Sequence, residues 1–222
     1  MGTQISNGAE PSLSSRITAF LANPVVDKTI AIIACLPFIY LLYLRLQSGT
    51  LDVVRTNLAI QNLIIVVTML ARRRPIRVTT NPWFWLLAFV ATYWMMLTAV
   101  VITPGTMIVP VWFSFGLSYL GLVISVYARV SLGRNIGFVP AQRQLVTTGA
   151  YGLVRHPIYT GMFVNYLAMA LLAYSHVNVV IIGMGVLWLV FKSLIEERFL
   201  SADPEYVAYM HHVRRRWLPW LV

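Results

Sequence analysis

Six stretches of the chain are nearly continuous runs of apolar residues: 29–46, 51–71, 82–102, 107–132, 157–174 and 177–195. Runs of about 20 apolar residues cross the roughly 30 Å hydrocarbon layer of a bilayer as α-helices, the form that satisfies every backbone polar group internally. The pattern therefore predicts an all-α polytopic transmembrane bundle of six helices. The first and fifth runs are short for a full crossing. Only Ser175 and His176 separate the fifth run from the sixth, which predicts a tight helical hairpin. If one of that pair is tilted or partly inserted, the count is five. Ahead of the first run, "SSRITAFLANP" reads as a short interfacial helix, with a disordered tail as the alternative.

Composition and charge place the polar segments. Hydrophobic residues make up 59% of the chain and charged residues only 11%, against about 25% charged in soluble domains. The net charge of +10 would point to nucleic acid in a soluble protein. Here 15 of the 17 basic residues fall on one side of the six-helix layout, with Arg45 and Arg55 on the other. That asymmetry is the positive-inside pattern. It predicts cytoplasmic termini and a cytoplasmic polar face, in a membrane such as the bacterial inner membrane. The partners it implies are membrane lipids, not nucleic acid. Cys35 is the only cysteine and lies in an apolar run, so neither a disulfide framework nor a cysteine-based metal site is possible. The division that follows is a tail or interfacial helix over 1–28, membrane helices over 29–132 and a core over 133–222 that carries most of the polar segments.

Within that core, "GAYGLVRHPIYTG" is a polar, turn-rich cassette between greasy runs. Pro157 suits the first turn of a helix and pushes His156 out of helical geometry. The first-turn amides then lack intrahelical partners, and a carboxylate or similar acceptor is favoured beside them. Gly149 and Gly152 allow tight turns, and Gly161 allows close helix packing. Each residue alone is explained by a capped helix behind a basic loop. Their density at a membrane boundary points to a site.

Two further clusters lie downstream. In "FKSLIEERFL", Lys192 and Glu196 share a helix face, and Glu196 and Glu197 sit where the last helix leaves the apolar layer. They fit an interfacial salt bridge or an acid aimed at a cytoplasmic pocket. In the tail, Tyr206, Tyr209 and Val213 have near-helical spacing, and Arg214–Arg216 with Trp217 and Trp220 read as an interfacial anchor. No nucleophile elbow or phosphate-binding loop is present.

Together, "LVTTGAYGLVRHPIYTG", "EERFL" and "DPEYVAY" resemble the isoprenylcysteine carboxyl methyltransferase family of membrane methyltransferases, over roughly residues 132–219. The resemblance implies S-adenosylmethionine as methyl donor in a cytoplasmic pocket roofed by loop and tail, with S-adenosylhomocysteine as product and a prenylated or other lipophilic acceptor. It assigns cofactor contacts to Gln144, Leu145, Val146, Tyr151, His156, Pro157, Ile158, Tyr159 and Glu196. Glu197 is the alternative acid and a substrate-side residue. Lys192 stands where some members carry an arginine for the substrate carboxylate, and it is matched with Arg155 as the catalytic pair. No metal is implied. The acceptors to weigh are an isoprenylcysteine-like carboxylate and a phospholipid amine or thiol. Readings of other classes are an NADPH-dependent sterol-type reductase and a non-enzymatic membrane protein.

Overall fold

The structure, a computed structural model, describes residues 13–47, 53–97 and 104–219. The expected loop over 47–50 and Trp220 lie wholly or partly outside those residues. Eight α-helices run in order: α1 Leu13–Leu21, α2 Pro24–Gln47, α3 Val53–Leu70, α4 Pro82–Leu97, α5 Val111–Leu132, α6 Pro157–Leu172, α7 His176–Leu200 and α8 Pro204–His212. Helices α2 to α7 coincide with the six apolar runs, and α1 is the helix expected before them. Of these, α2, α5 and α7 are long and apolar enough to cross a membrane. Helix α6, with 16 residues, reaches only about 24 Å. The α6–α7 hairpin is tight, and Ser175 caps α7 by accepting from the Asn178 amide at 3.1 Å. Helix α7 outruns its apolar stretch by one turn and carries Glu196 and Glu197 within the helix.

The packing is that of a membrane protein, the reverse of a soluble one. Large apolar side chains such as Ile33, Tyr40, Trp112, Val123, Val130 and Val180 are exposed, while Asn57, Ser114, Ser118, Ser125 and Ser193 are fully buried. Lipid tails are as apolar as leucine, so helices associate through close approach and interhelical hydrogen bonds. The buried face of α5 is Ser114, Ser118, Gly121, Ser125, Ala128 and Arg129, a stripe of helical period that lies against α6. A Cβ on Gly161 would collide with the α5 backbone at Gly121 and with Ser125. The contact is stitched by Asn57 donating to Ser118 at 2.9 Å and Ser118 donating to Asn165 at 3.2 Å.

At one end of the bundle the polar segments lock together. Arg72 donates to the Asp27 carboxylate at 2.5 and 3.2 Å, with both side chains buried. Arg143 stands 3.9 Å from the same carboxylate and donates to the Arg73 carbonyl at 3.0 Å. Burial and the neighbouring Arg72 push the Arg143 guanidinium down to about 10, still charged at neutral pH. A two-stranded antiparallel ribbon, β1 Arg77–Val78 with β2 Ala141–Gln142, ties the α3–α4 loop to the α5–α6 loop.

The tail straps across this end instead of reaching into the interface. The Arg155 and His156 amides donate to the Arg215 and Arg216 carbonyls at 2.9 and 2.8 Å. Trp217 donates to Ser193 at 3.2 Å, its carbonyl accepts from Thr160, and its ring meets Phe163. Arg216 and Trp217 are thus taken out of the anchor expected from the sequence, because buried hydrogen-bonding partners on α6 and α7 compete with the headgroup layer. The centre of the strap is Glu197, which meets Arg155 at 2.9 Å, His156 Nε2 at 3.1 Å and Arg216 at 3.1 Å.

Two substitutions test this frame. Asp27→Asn leaves Arg72 buried without its counter-charge and is expected to cost about 3–5 kcal/mol, read by thermal unfolding in detergent. Glu197→Gln is expected to speed tryptic cleavage at Arg214–Arg216 at least about tenfold, the change that ~1.4 kcal/mol of lost local stability produces. An unchanged cleavage rate would remove Glu197 from the strap.

Candidate functional site

The locked end roofs a cavity of about 820 Å³, within the ~300–1,000 Å³ typical of cofactor and ligand sites. Its polar end is walled by the α5–α6 loop, the cassette, the end of α7 and α8. Its apolar end runs down between α2, α3, α4, α5 and α6, past Phe38, Ile65, Met69, Met162 and Met169. Both the N-terminal helices and the core expected over 133–222 therefore line it.

Local geometry explains how the cassette reaches the cavity. Gly149 has φ +62°, a conformation that favours glycine, and it opens a 3-10 turn over Gly149–Gly152. Ser131 of α5 accepts from the Ala150 amide at 3.2 Å, and Tyr151 is turned toward the cavity. Tyr209 of α8 donates to the Tyr151 carbonyl at 2.8 Å. Burial holds the Tyr151, Tyr206 and Tyr209 phenols well above the ordinary range, so all three stay neutral at physiological pH. Pro157 occupies the first turn of α6, as the sequence predicts. His156 occupies the cap position without a side-chain capping bond. Its ring instead reaches Glu197 and stacks on Tyr159 with centroids 5.5 Å apart and planes 3° apart.

Gln144, Leu145, Val146, Tyr151, His156, Ile158, Tyr159 and Glu196 all line one cavity with Arg155 and Lys192. Pro157 is buried at the helix start and Glu197 is turned into the strap, and neither lines it. Consecutive helix residues point about 100° apart, so Glu196 and Glu197 serve different faces. Glu196 accepts from the Tyr159 hydroxyl at 2.9 and 3.0 Å and stands 4.0 Å from His156 Nδ1. Lys192 does not bridge to Glu196: its ammonium donates to Thr92 at 3.0 Å and lies over the Phe138 and Tyr159 rings at 5.6 and 5.9 Å.

Several lining residues were not among the sequence candidates. Asp203 caps α8, accepts from Gln142 at 2.5 Å and faces the cavity beside Tyr206. Gln61 and Asn62 of α3 line its deeper part, and their amide nitrogens lack partners among the described residues. Gln61 lies nine residues before the end of α3, roughly 13 Å into the bundle at 1.5 Å per residue. Arg129 is 7% exposed and lines the cavity. One sequence signal marks it: Arg129 continues the buried stripe of α5, four residues after Ser125.

The arrangement can hold a polar, partly charged ligand against a carboxylate and aromatic rings while an apolar chain lies along the membrane-facing end. No curated protein matches the chain. Residues 109–203, from just before α5 to the cap of α8, match the family model of phospholipid methyltransferase. That segment supplies most of the cavity's polar wall, and over it the chain is similar to the phospholipid methyltransferases, a family of membrane methyltransferases that also holds the isoprenylcysteine carboxyl methyltransferases.

Proposed function

We propose that the protein transfers a methyl group from S-adenosylmethionine to a lipophilic acceptor at the cytoplasmic face of the membrane, the bacterial inner membrane being the setting its charge pattern fits. The observation that carries this reading is the convergence of the cassette, the 144–146 segment and Glu196 on one cavity that continues into an apolar channel. The residues present fit such a donor. Glu196 keeps lone pairs beyond its bond to Tyr159 and suits ribose hydroxyls or an amine, the rings of Tyr151, His156 and Tyr159 suit a cationic or aromatic group, and the 144–146 backbone lies alongside.

When bound, S-adenosylmethionine supplies a methyl group on a sulfonium that needs no further activation. The chain's task is alignment and exclusion of water. The strap and α8 close the polar end, and the Tyr159–Glu196 bond fixes one wall. Lys192 stands at the head of the apolar channel, where it can orient an acceptor carboxylate. Such a carboxylate is ionised at neutral pH and requires no base. An isoprenylcysteine-like carboxylate is therefore our first reading of the acceptor.

A phospholipid amine is the second reading, favoured by the family description and by two carboxamides placed deep in the channel. Gln61 and Asn62 suit ester or amide carbonyls, which an isoprenoid chain lacks. With an amine acceptor, His156 or Glu196 would take the proton.

Calorimetry on the detergent-purified protein is expected to show binding of S-adenosylhomocysteine and none of NADPH; the reverse result would replace the methyltransferase with a reductase. Glu196→Ala is expected to weaken S-adenosylhomocysteine at least about tenfold, a loss of ~1.4 kcal/mol or more. Radiolabelled methyl transfer to N-acetyl farnesylcysteine is expected to exceed that to phospholipid extracts or thiols. Label in phospholipid alone would choose the second reading.

A further inference from the structure

Several basic groups at the locked end are engaged by the protein itself. Arg72 is held by Asp27, Arg155 and Arg216 by Glu197, Arg134 by the Ala71 carbonyl and Arg77 by the Phe199 carbonyl. Arg129 differs. It sits on the bundle-facing stripe of α5 with 7% of its surface exposed. Its guanidinium makes no hydrogen bond or ion pair among the described residues, and it borders the cavity. The groups facing it are Tyr151 from the cassette, Tyr159 from α6 and Lys192 from α7. Of the carboxylates on the cavity wall, Glu196 is bonded to Tyr159 and Asp203 to Gln142.

A buried arginine without a counter-charge is costly, and in membrane proteins an intramembrane charge marks a ligand path. The guanidinium fork matches the two oxygens of a carboxylate or phosphate. We propose that Arg129 is the anion-binding residue of this cavity and takes a carboxylate or phosphate of a bound reactant. The proposal rests on the methyltransferase reading and adds a residue to it. The anion has two sources, the amino-acid carboxylate of the methyl donor or an anionic group of the acceptor.

Binding and unfolding of the full chain in detergent test it, with Arg129→Gln and Arg129→Lys as variants. If the donor supplies the anion, Arg129→Gln weakens S-adenosylhomocysteine at least tenfold. It leaves 5′-methylthioadenosine, which lacks the amino-acid arm, unchanged. If the acceptor supplies it, S-adenosylhomocysteine is unaffected. Binding of N-acetyl farnesylcysteine or phosphatidylethanolamine then falls at least tenfold, while the farnesylcysteine methyl ester or diacylglycerol is unaffected. In both cases Arg129→Lys restores part of the loss, and ligand-free Arg129→Gln melts no lower than the parent. Unchanged affinity for every probe would overturn the proposal. So would a lowered ligand-free melting temperature with all affinities reduced alike, the sign of a structural role. Should the parent protein bind no nucleoside ligand, the methyltransferase reading falls, and the acceptor comparison still decides Arg129.

Discussion

One buried carboxylate organises the functional end of this protein. Glu197 gathers Arg155 and His156 from the cassette and Arg216 from the tail, so that the cassette, the end of α7 and the tail meet at one point. Each arginine has a reason to remain in water, and a carboxylate on the rigid end of α7 removes it. The consequences spread outward. With His156 turned toward Glu197, its ring lies flat on Tyr159, and Tyr159 in turn holds Glu196 toward the cavity. The tail, fixed by Arg216, lays its carbonyls against the Arg155 and His156 amides. The chain's own tail thereby closes the two amides that stand just ahead of the entry to α6.

The bundle below follows a different rule. Helices α5 and α6 meet through small and hydroxylated residues because close approach, not the expulsion of water, binds helices in lipid. Close contact on this seam leaves room elsewhere. The remaining helices lean around a channel lined by methionines, leucines and phenylalanines. Methionine is well suited to such a lining, since its unbranched thioether adapts to chains of different shape. A tight seam on one side and a pliable lining on the other allow one rigid polar site to receive a flexible lipid.

The sequence made some of this legible and hid the rest for physical reasons. Six apolar runs gave the six long helices, because hydrophobic length is what the bilayer demands. Pro157 marked the start of α6 and Gly149 the turn before it, since both act through local backbone geometry. Segments whose partners lie far along the chain were harder to read. Arg216 and Trp217 look like an interfacial anchor in isolation, and only the presence of Glu197 and Ser193 on α7 turns them inward. Asp27 carried no motif, yet it neutralises Arg72 across the bundle. Gln61 and Asn62 were hidden within a helix read only for its hydropathy. Arg129 could have been found, because it falls on the period of Ser114, Ser118, Gly121 and Ser125. It was counted instead among the charges of the cytoplasmic side.

The adjacent acids of α7 show why residue type and neighbourhood in sequence do not assign a role. Glu196 and Glu197 have the same chemistry and nearly the same depth. A rotation of about 100° per residue separates their surroundings completely. Glu197 meets two arginines and a histidine and is spent on holding the roof. Glu196 meets one tyrosine hydroxyl, which orients it without neutralising it, so its charge remains available to a ligand. The cations divide in the same way. Arg155 is paired with Glu197, while Lys192 is held by a threonine and two rings and makes no ion pair among the described residues. A group whose charge is already matched by the protein can shape a site. Only a group whose charge is left over can draw a charged ligand into it, and in this cavity those groups are Glu196, Lys192 and Arg129.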